Sequence, residues 1–324
     1  MGYILVTGSA GFIGWKVSEL LLSEGKEVIG IDELNRAYDP LLKEWRLSQL
    51  KRFQNFTFFK LDLSNYDAIR MVFEVFKPID AVIHLAARAG VRTSIENPWV
   101  YEKSNVTATL NLLELMKDFG TKKMVLASTS SIYAGKKPPF HEELKVDTPL
   151  SPYAATKKAA EVLAYTYHHL YGLDISVLRY FTVYGPAGRP DMSIFRFIKW
   201  IYEETPIKIF GDGTQARDFT YVDDIARGTI LALKPLGYEV INLGGGKNPI
   251  SINQIIEMLE RLLGKKAKKE HFPFHKADVK VTWAEIEKAK KLLSWEPKVD
   301  IEEGLKRTVD WSLKHIDLIK KVKV

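Results

Sequence analysis

The first third of the chain constrains the fold more than any other stretch, because it opens on a strand, a glycine turn and a helix in fixed order. Tyr3-Ile4-Leu5-Val6-Thr7 is a short apolar run, read as a buried strand. Gly8-Ser9-Ala10-Gly11-Phe12-Ile13-Gly14 follows, then a helical pattern through Leu20, Leu21 and Leu22 that Gly25 closes. The second strand, Glu27 to Ile31, ends at Asp32. Strand, glycine turn, helix, strand and acid is the arrangement that binds a dinucleotide. Glycines let the backbone approach a pyrophosphate, and the helix N-terminus supplies N–H donors and a positive dipole end. A carboxylate at Asp32 suits both hydroxyls of an adenosine ribose and repels a 2′-phosphate, so NAD is the expected cofactor rather than NADP. The glycine spacing is G-x-x-G-x-x-G, and the flanking strands with Asp32 are what make it informative.

The alternation continues. Phe56 to Leu61 reads as a strand that ends in Asp62, whose carboxylate and Leu63 would border the adenine. Asp80 to Leu85 is another, followed by the small residues of Ala86-Ala87-Arg88-Ala89-Gly90. His84, inside that strand, reads as a packed core residue. A long helix is expected from Pro98 to about Gly120, with Asn105 polar among apolar neighbours, and a fifth strand from Lys123 to Ser128. Ile175 to Leu178 is a sixth strand, after which turn formers, a helix from Ser193 to Glu203 and a short strand at Ile207 to Phe210 mark a change of composition. Val240 to Leu243 reads as the return to the large sheet. The expected fold class is α/β, a Rossmann doubly wound parallel sheet with a smaller, mostly α C-terminal substrate domain. The NAD-binding domain is expected over 1–181 plus about 221–246, and the second domain over about 182–220 plus 247–324.

The fifth strand delivers the chain to Thr129-Ser130-Ser131-Ile132-Tyr133, and the next helix carries Tyr153 and Lys157. Residues four apart share a helix face, so the phenol and the ammonium can serve one site. A phenol titrates near 10, and lowering it by ~3 units takes roughly 4 kcal/mol of interaction, which a nearby ammonium would favour. Tyrosine, lysine and a preceding hydroxyl can take a proton from a sugar hydroxyl while a cofactor takes the hydride. Ligands sit beyond the carboxyl ends of strands in such sheets, which places this cluster at the nicotinamide.

Composition closes off several classes. With no cysteine there are no disulfides, thiolate nucleophiles or cysteine-ligated metals. No apolar run approaches the ~20 residues of a membrane span, and the strand starting at Tyr3 leaves no room for a signal peptide, so a cytoplasmic location is expected. The net charge of +7 suits an anionic substrate, but its lysines cluster in helical patterns such as Lys265-Lys266 and Lys288-Lys291 that read as solvated faces rather than a nucleic-acid footprint. His168 and His169 have no evident third ligand, so no metal is expected. With Tyr165, Tyr167 and Tyr171 they read as core or subunit-interface residues, and Trp283, Trp295 and Trp311 as packing residues. High lysine and glutamate with little glutamine hints at a thermophilic source.

With these motifs in place, the chain resembles the extended short-chain dehydrogenase/reductase family, in particular its nucleotide-sugar epimerases and dehydratases. The likeness runs through the glycine motif, Asp32, His84-Leu85-Ala86-Ala87, Asn105, the hydroxyl cluster, Tyr153 with Lys157, Leu178-Arg179-Tyr180-Phe181 and Arg217-Asp218-Phe219-Thr220-Tyr221-Val222-Asp223-Asp224. It implies Tyr153 as the proton-transferring base, Lys157 on the nicotinamide ribose and tuning the tyrosine, and Thr129 on the reacting sugar hydroxyl. The implied cofactor set is Gly8, Gly11, Phe12, Ile13, Gly14, Asp32, Asn35, Asp62, Leu63, Leu85, Ala86, Ala87, Asn105, Tyr153, Lys157 and Tyr180, with Tyr180 and Phe181 against the nicotinamide. The implied UDP-sugar set is Arg92, Ser130, Ser131, Thr182, Arg189, Ile209, Phe210, Arg217 and Asp278.

Subfamily turns on the hydroxyl cluster. The family's 4,6-dehydratases carry Asp-Glu after the catalytic threonine, and its uronate decarboxylases keep a Glu where Ser131 stands. Ser130 and Ser131 supply neither, which leaves epimerisation. The segments from Ala89 to Pro98, Tyr153 to Ala159 and Phe181 to Met192 are most similar to the UDP-glucuronate 4-epimerase branch. Thr182 stands where UDP-galactose 4-epimerases usually have Asn, and His275 where many have an Arg on the nucleotide. A tightly bound NAD+, a UDP-sugar that is a uronate, and a homodimer are therefore the expected cofactor and partners. The alternatives are a UDP-glucose/UDP-galactose 4-epimerase, a related epimerase such as a CDP-sugar 2-epimerase, and a non-enzymatic NAD sensor or nucleic-acid-binding member of the fold; the last class tends to lose the Tyr/Lys pair.

Overall fold

Short apolar runs bounded by turn formers become strands here, and most of them meet in one sheet. The computed structural model describes residues 2–247, 249–274 and 279–324. Its strands are β1 (Tyr3–Thr7), β2 (Val28–Ile31), β3 (Phe56–Phe59), β4 (Ile79–His84), β5 (Lys123–Thr129), β6 (Asp174–Tyr180), β7 (Thr182–Tyr184), β8 (Ile207–Phe210), β9 (Ala216–Arg217), β10 (Phe219–Tyr221), β11 (Tyr238–Leu243), β12 (Ile250–Ser251) and β13 (Lys269–Phe272). Seven of them form a sheet in the order β11-β6-β5-β4-β1-β2-β3. Every pairing in it is parallel, so each connection must cross over a face. The order reverses between β1 and β4, which opens a crevice at the carboxyl ends of those two strands.

Both faces of the sheet are covered, and the strands alternate apolar residues between them. Ile4, Val6, Val125 and Ala127 pack with Trp15 and Leu21 of helix Phe12–Ser23 and Ile225 of helix Val222–Leu231. Leu5, Met124 and Leu126 pack on the opposite side with Ile69, Leu112 and Ala160, from helices Tyr66–Val75, Ala108–Phe119 and Pro152–Tyr171. This doubly wound arrangement is the expected one, and β11 returns to the sheet beside β6 as the run Val240–Leu243 implied.

One expectation is refined. The single helix expected from Pro98 to Gly120 is α-helical over Pro98–Tyr101, π-helical over Glu102–Thr107 and α-helical again over Ala108–Phe119, with Gly120 left-handed at its end. The wider π turn brings Asn105 inward, where it is buried against the loop after β4.

After β6 the chain leaves the sheet. Helices Ser193–Tyr202, Ile252–Leu263 and Ile301–Lys314 enclose a separate core around Ile198, Ile209, Ile255 and Leu305. Ser251 and Gln254 cap the second of these reciprocally, and Asp300 caps the third. This part is mainly helical, with the two-stranded pairs β7–β10, β8–β13 and β9–β12 at its edge. The last helix, Ile316–Lys321, joins it to the sheet unit: Ile319 and Val322 pack on Leu42 and Phe195, and Lys199 Nζ donates to the carbonyls of Ile319 and Lys320 at 2.9 Å each. Among the described residues no helix is long and apolar enough to cross a membrane, and no group of three acidic or histidine side chains is placed to hold a metal ion.

Candidate active site

At the end of β1 the backbone turns through Gly8, whose φ of +70° is left-handed, and a Cβ there would stand 2.8 Å from Ala86 N. A Cβ on Gly14 would meet Gly8 O at 2.1 Å, so only glycine lets the helix approach the turn so closely. Helix Phe12–Ser23 begins at Gly11 with no side-chain cap, which leaves its first-turn N–H groups for an anion at the crevice. Asp32, at the end of β2, is buried and accepts from Leu34 N at 2.8 Å. Burial raises its pKa, opposed by the Lys43 ammonium.

β5 delivers Thr129, whose Oγ1 accepts from Ser131 N at 3.1 Å and so caps the short 3-10 turn Ser130–Tyr133. Ser130 and Ser131 lie half-buried beside it. Helix Pro152–Tyr171 starts where the sequence dictates: Ser151 Oγ accepts from Ala154 N, and Pro152 occupies the first position, where no N–H is needed. Tyr153 therefore stands in the first turn and Lys157 one turn on. Thr129 hydrogen-bonds the Tyr153 hydroxyl, and the Tyr101 ring packs edge-on at 6.1 Å.

Burial raises the Tyr153 pKa; the Thr129 hydrogen bond and the positive charge of Arg189 oppose that rise. Arg189 is therefore a further cation acting on the phenol, contributed from outside the helix. Burial lowers the Lys157 pKa to about 8, against the pull of Glu161 one turn further along. Lys157 as a whole residue is 3 % exposed. A lysine buried as a residue beside a tyrosine, an uncapped helix start and a buried carboxylate at the end of β2 fit a dinucleotide: ribose hydroxyls for Lys157 and Asp32, a diphosphate for the helix.

A buried network lies beneath the helix. Glu161 accepts from Arg179 Nε at 2.9 Å, from Arg179 Nη2 at 2.8 Å and from Ser128 Oγ at 2.7 Å. Arg179 Nη1 donates to the Tyr133 hydroxyl at 2.7 Å, which in turn donates to Asn242 Oδ1 at 2.9 Å. Burial pushes the Tyr133 phenol up to about 12 despite Arg179, so it stays a donor. The network ties the carboxyl ends of β5 and β6 to helix Pro152–Tyr171.

The remaining residues divide by placement. Phe12, Ile13, Leu85, Ala86 and Ala87 border the crevice at the ends of β1 and β4. Asn35 Oδ1 accepts from Lys43 Nζ, Ala37 N and Arg88 Nη1, so Asn35 organises the loop beside Asp32. Asn105 gives both amide donors to Arg88 O and Thr156 Oγ1 and accepts from Arg88 N, so it shapes the loop after β4 and has no donor left for a cofactor. Asp62 accepts from Ser64 N, Ser64 Oγ and Lys103 Nζ; burial opposes their effect, but its pKa is held below the ordinary value. Leu63 is buried in the core and its carbonyl is taken by Asn111. The Tyr180 side chain is turned into the core with its hydroxyl 2.9 Å from Thr229 Oγ1, which leaves its backbone, not its ring, at the crevice. Phe181 packs in the same core with Tyr133 and Phe140.

On the substrate side, Thr182 begins β7 and Arg189 pairs with Asp191 at 2.5 Å. The Arg92 guanidinium lies 4.2 Å from the centre of the Phe210 ring, bridging the two units. Arg217 Nη1 donates to Ala216 O and Lys280 O. Ile209 is 1 % exposed in the second core, so its side chain does not reach a ligand. Asp278 and His275 lie outside the described residues. His84 is a core residue: its ring bonds Thr7 Oγ1 at 2.7 Å and Thr109 Oγ1 at 3.1 Å, and burial holds its pKa down at about 3.

Two buried basic residues were not singled out in the sequence. Lys43 donates to Asn35 O and Oδ1, and Arg46 reaches across to Ala187 and Gly188. The helix Leu41–Leu50 that carries them has an ordinary amphipathic pattern in which both look like surface cations.

A parallel doubly wound sheet, with an NAD-fitting crevice and a Tyr/Lys pair beside a hydroxyl cluster, defines an NAD-dependent enzyme of the Rossmann type. A family model described as the NAD dependent epimerase/dehydratase family matches residues 4–244, and the chain belongs to that family. It is 77 % identical over 324 residues to a UDP-glucuronate 4-epimerase of Thermodesulfobacterium geofontis, covering 100 % of both chains. Among solved structures it is similar to the UDP-glucuronic acid 4-epimerase of Bacillus cereus in complex with UDP-glucuronic acid and NAD, at 42 % identity and a TM-score of 0.91, covering 97 % of this chain and 99 % of that one. It is also similar to a UDP-glucose 4-epimerase of Thermotoga maritima with UDP-glucose, at 34 % identity and a TM-score of 0.89, with the same coverage.

Proposed function

We propose that the chain interconverts UDP-glucuronate and UDP-galacturonate by transient oxidation at C4 with bound NAD+. The observation that carries this is the hydrogen bond between Thr129 and the Tyr153 hydroxyl, with the two positions after Thr129 taken by the hydroxyls Ser130 and Ser131 rather than by carboxylates. The 77 % identity to a UDP-glucuronate 4-epimerase supports the same substrate.

Tyr153 removes the proton from the sugar 4-hydroxyl, held by its hydrogen bond to Thr129. Bound NAD+ supplies the hydride acceptor and, on return, the hydride donor. Lys157 holds the nicotinamide ribose, and Asp32 the adenosine ribose. Oxidation at C4 makes the sugar a β-keto acid, which loses CO2 when its carboxylate is destabilised. Ser130, Ser131 and Thr182 present neutral hydroxyls that donate to the carboxylate without a second negative charge, and Arg92 and Arg189 are the cations for carboxylate or diphosphate.

Separate incubation with UDP-glucuronate and UDP-glucose, with products resolved by chromatography, should show conversion of the uronate. Conversion of UDP-glucose alone would overturn the uronate assignment. A Ser131→Glu variant should release CO2 and form UDP-pentose; an unchanged product balance in a folded, NAD-loaded variant would remove Ser131 from that role.

The same reading extends to assembly and location. Trp99, Leu110, Val162 and Tyr165 leave apolar side chains exposed on helices Pro98–Tyr101, Ala108–Phe119 and Pro152–Tyr171, Trp99 with 82 % of its surface accessible. We place a homodimer contact on that face, in a cytoplasmic enzyme. Light scattering should give twice the mass of one chain, and Tyr165→Glu with Val162→Glu should halve it.

A further inference from the structure

Arg46 is a fully buried guanidinium whose hydrogen bonds all go to uncharged groups. Nε and Nη2 donate to Ala187 O at 3.0 and 2.6 Å, and Nη2 also to Gly188 O at 3.0 Å. Nη1 donates to Ala10 O at 3.2 Å and to the Tyr38 hydroxyl at 2.9 Å. A buried cation without a counter-charge is costly, and it persists where its surroundings provide either many acceptors or a nearby anion.

The segments it joins are the two sides of the site. Ala10 directly precedes Gly11, the start of the helix whose free N–H groups suit a diphosphate. Ala187, held left-handed at φ 51°, and Gly188 directly precede Arg189, a cation that acts on Tyr153. Tyr38 lies beside Lys43 and Arg189 in the loop after Asp32. A non-glycine residue in that conformation is strained, and the two bonds from Arg46 to the Ala187 carbonyl are what hold it there.

We propose that Arg46 is a positioning residue that fastens the sugar-facing loop 187–191 to the diphosphate turn, its charge being offset by the dinucleotide diphosphate bound there. This rests on the reading above that the loop faces the sugar. Because one rigid fork holds both sides, filling the cofactor site tightens the sugar site, and by linkage the converse.

The test uses the Tyr153→Phe protein, stripped of nucleotide, so that no turnover occurs. Calorimetric titration with NAD, and with UDP-glucuronate in the absence and presence of NAD, measures both affinities and their coupling. NAD is expected to tighten UDP-glucuronate binding by at least about fivefold. Adding Arg46→Met should weaken NAD by about tenfold or more and reduce the coupling to below about twofold. Arg46→Lys keeps the charge without the fork, so it should hold NAD within about threefold of the parent while still losing the coupling. Unchanged NAD affinity and coupling in Arg46→Met overturns the proposal. If that variant does not fold, unchanged coupling in Arg46→Lys overturns it instead. Failure of UDP-glucuronate to bind even the parent would count against the substrate assignment, while the NAD arm would still decide the role of Arg46.

Discussion

Replacing Lys157 with Met should make the protein more stable and nearly inactive. Lys157 is 3 % exposed, and burial lowers its pKa from 10.5 to about 8 despite Glu161. That difference corresponds to about 3 kcal/mol of native-state penalty, since each pKa unit is worth about 1.4 kcal/mol. Below pH 8 the lysine is protonated in both the folded and unfolded states, and the penalty is fully present. Between 8 and 10.5 the unfolded chain keeps the proton that the native chain has lost, so stability rises with pH; above 10.5 the penalty is gone. In cofactor-free protein, urea unfolding at pH 7 should show Lys157→Met more stable by up to about 3 kcal/mol, equivalent to roughly 5 °C in Tm. The gap to wild type should close as the pH is raised through that window. Turnover should fall by roughly 10²–10⁴, the usual contribution of a group supporting proton transfer. NAD should stabilise wild type more than the variant, because only wild type gains partners for the ammonium. A variant that is less stable than wild type at pH 7, or a gap that does not depend on pH, refutes the assignment of Lys157 as an unpaired buried charge.

Two further substitutions test the frame around the site. Arg179→Met leaves the Glu161 carboxylate buried without its bidentate partner and should cost about 3–5 kcal/mol in denaturant unfolding. Adding Glu161→Leu should recover much of that loss, whereas an additive double variant would show that the pair is not coupled. Gly14→Ala puts a Cβ 2.1 Å from Gly8 O, which forces the helix off the turn; a loss of about 1–3 kcal/mol is expected, with weaker NAD binding by fluorescence titration.

Much of the fold is local information. The strand at Tyr3–Thr7, the glycines at 8, 11 and 14 and the acid at 32 lie within one βαβ unit, so their spacing alone dictates the crevice. Tyr153 and Lys157 are readable for the same reason: a helix puts residues four apart on one face whatever surrounds it. The alternation of Ile4 and Val6 against Leu5 shows why a doubly covered sheet reads as an unbroken apolar run.

What the sequence pattern cannot carry is the partner of a side chain contributed from far along the chain. Asn105 looked like a cofactor ligand until the π turn placed both its donors on Arg88 and Thr156. The ring of Tyr180 turns to Thr229, and Ile209 into the second core, because alternation fixes that two faces exist but not which face meets the ligand. Tyr153 and Lys157 are neighbours by helical geometry, but Arg189, a further cation acting on the phenol, is brought there by a loop 36 residues further on. Arg46 is the extreme case: in sequence it is one cation on an amphipathic helix, and its carbonyl partners lie 36 residues back at Ala10 and 141 and 142 residues on at Ala187 and Gly188. The sequence by itself determined the dinucleotide crevice and the juxtaposition of Tyr153 with Lys157, because both depend on backbone periodicity over a few residues. Only the tertiary structure decided which charges are buried, which are paired and which act on the tyrosine, because those depend on distances through space and on the exclusion of water.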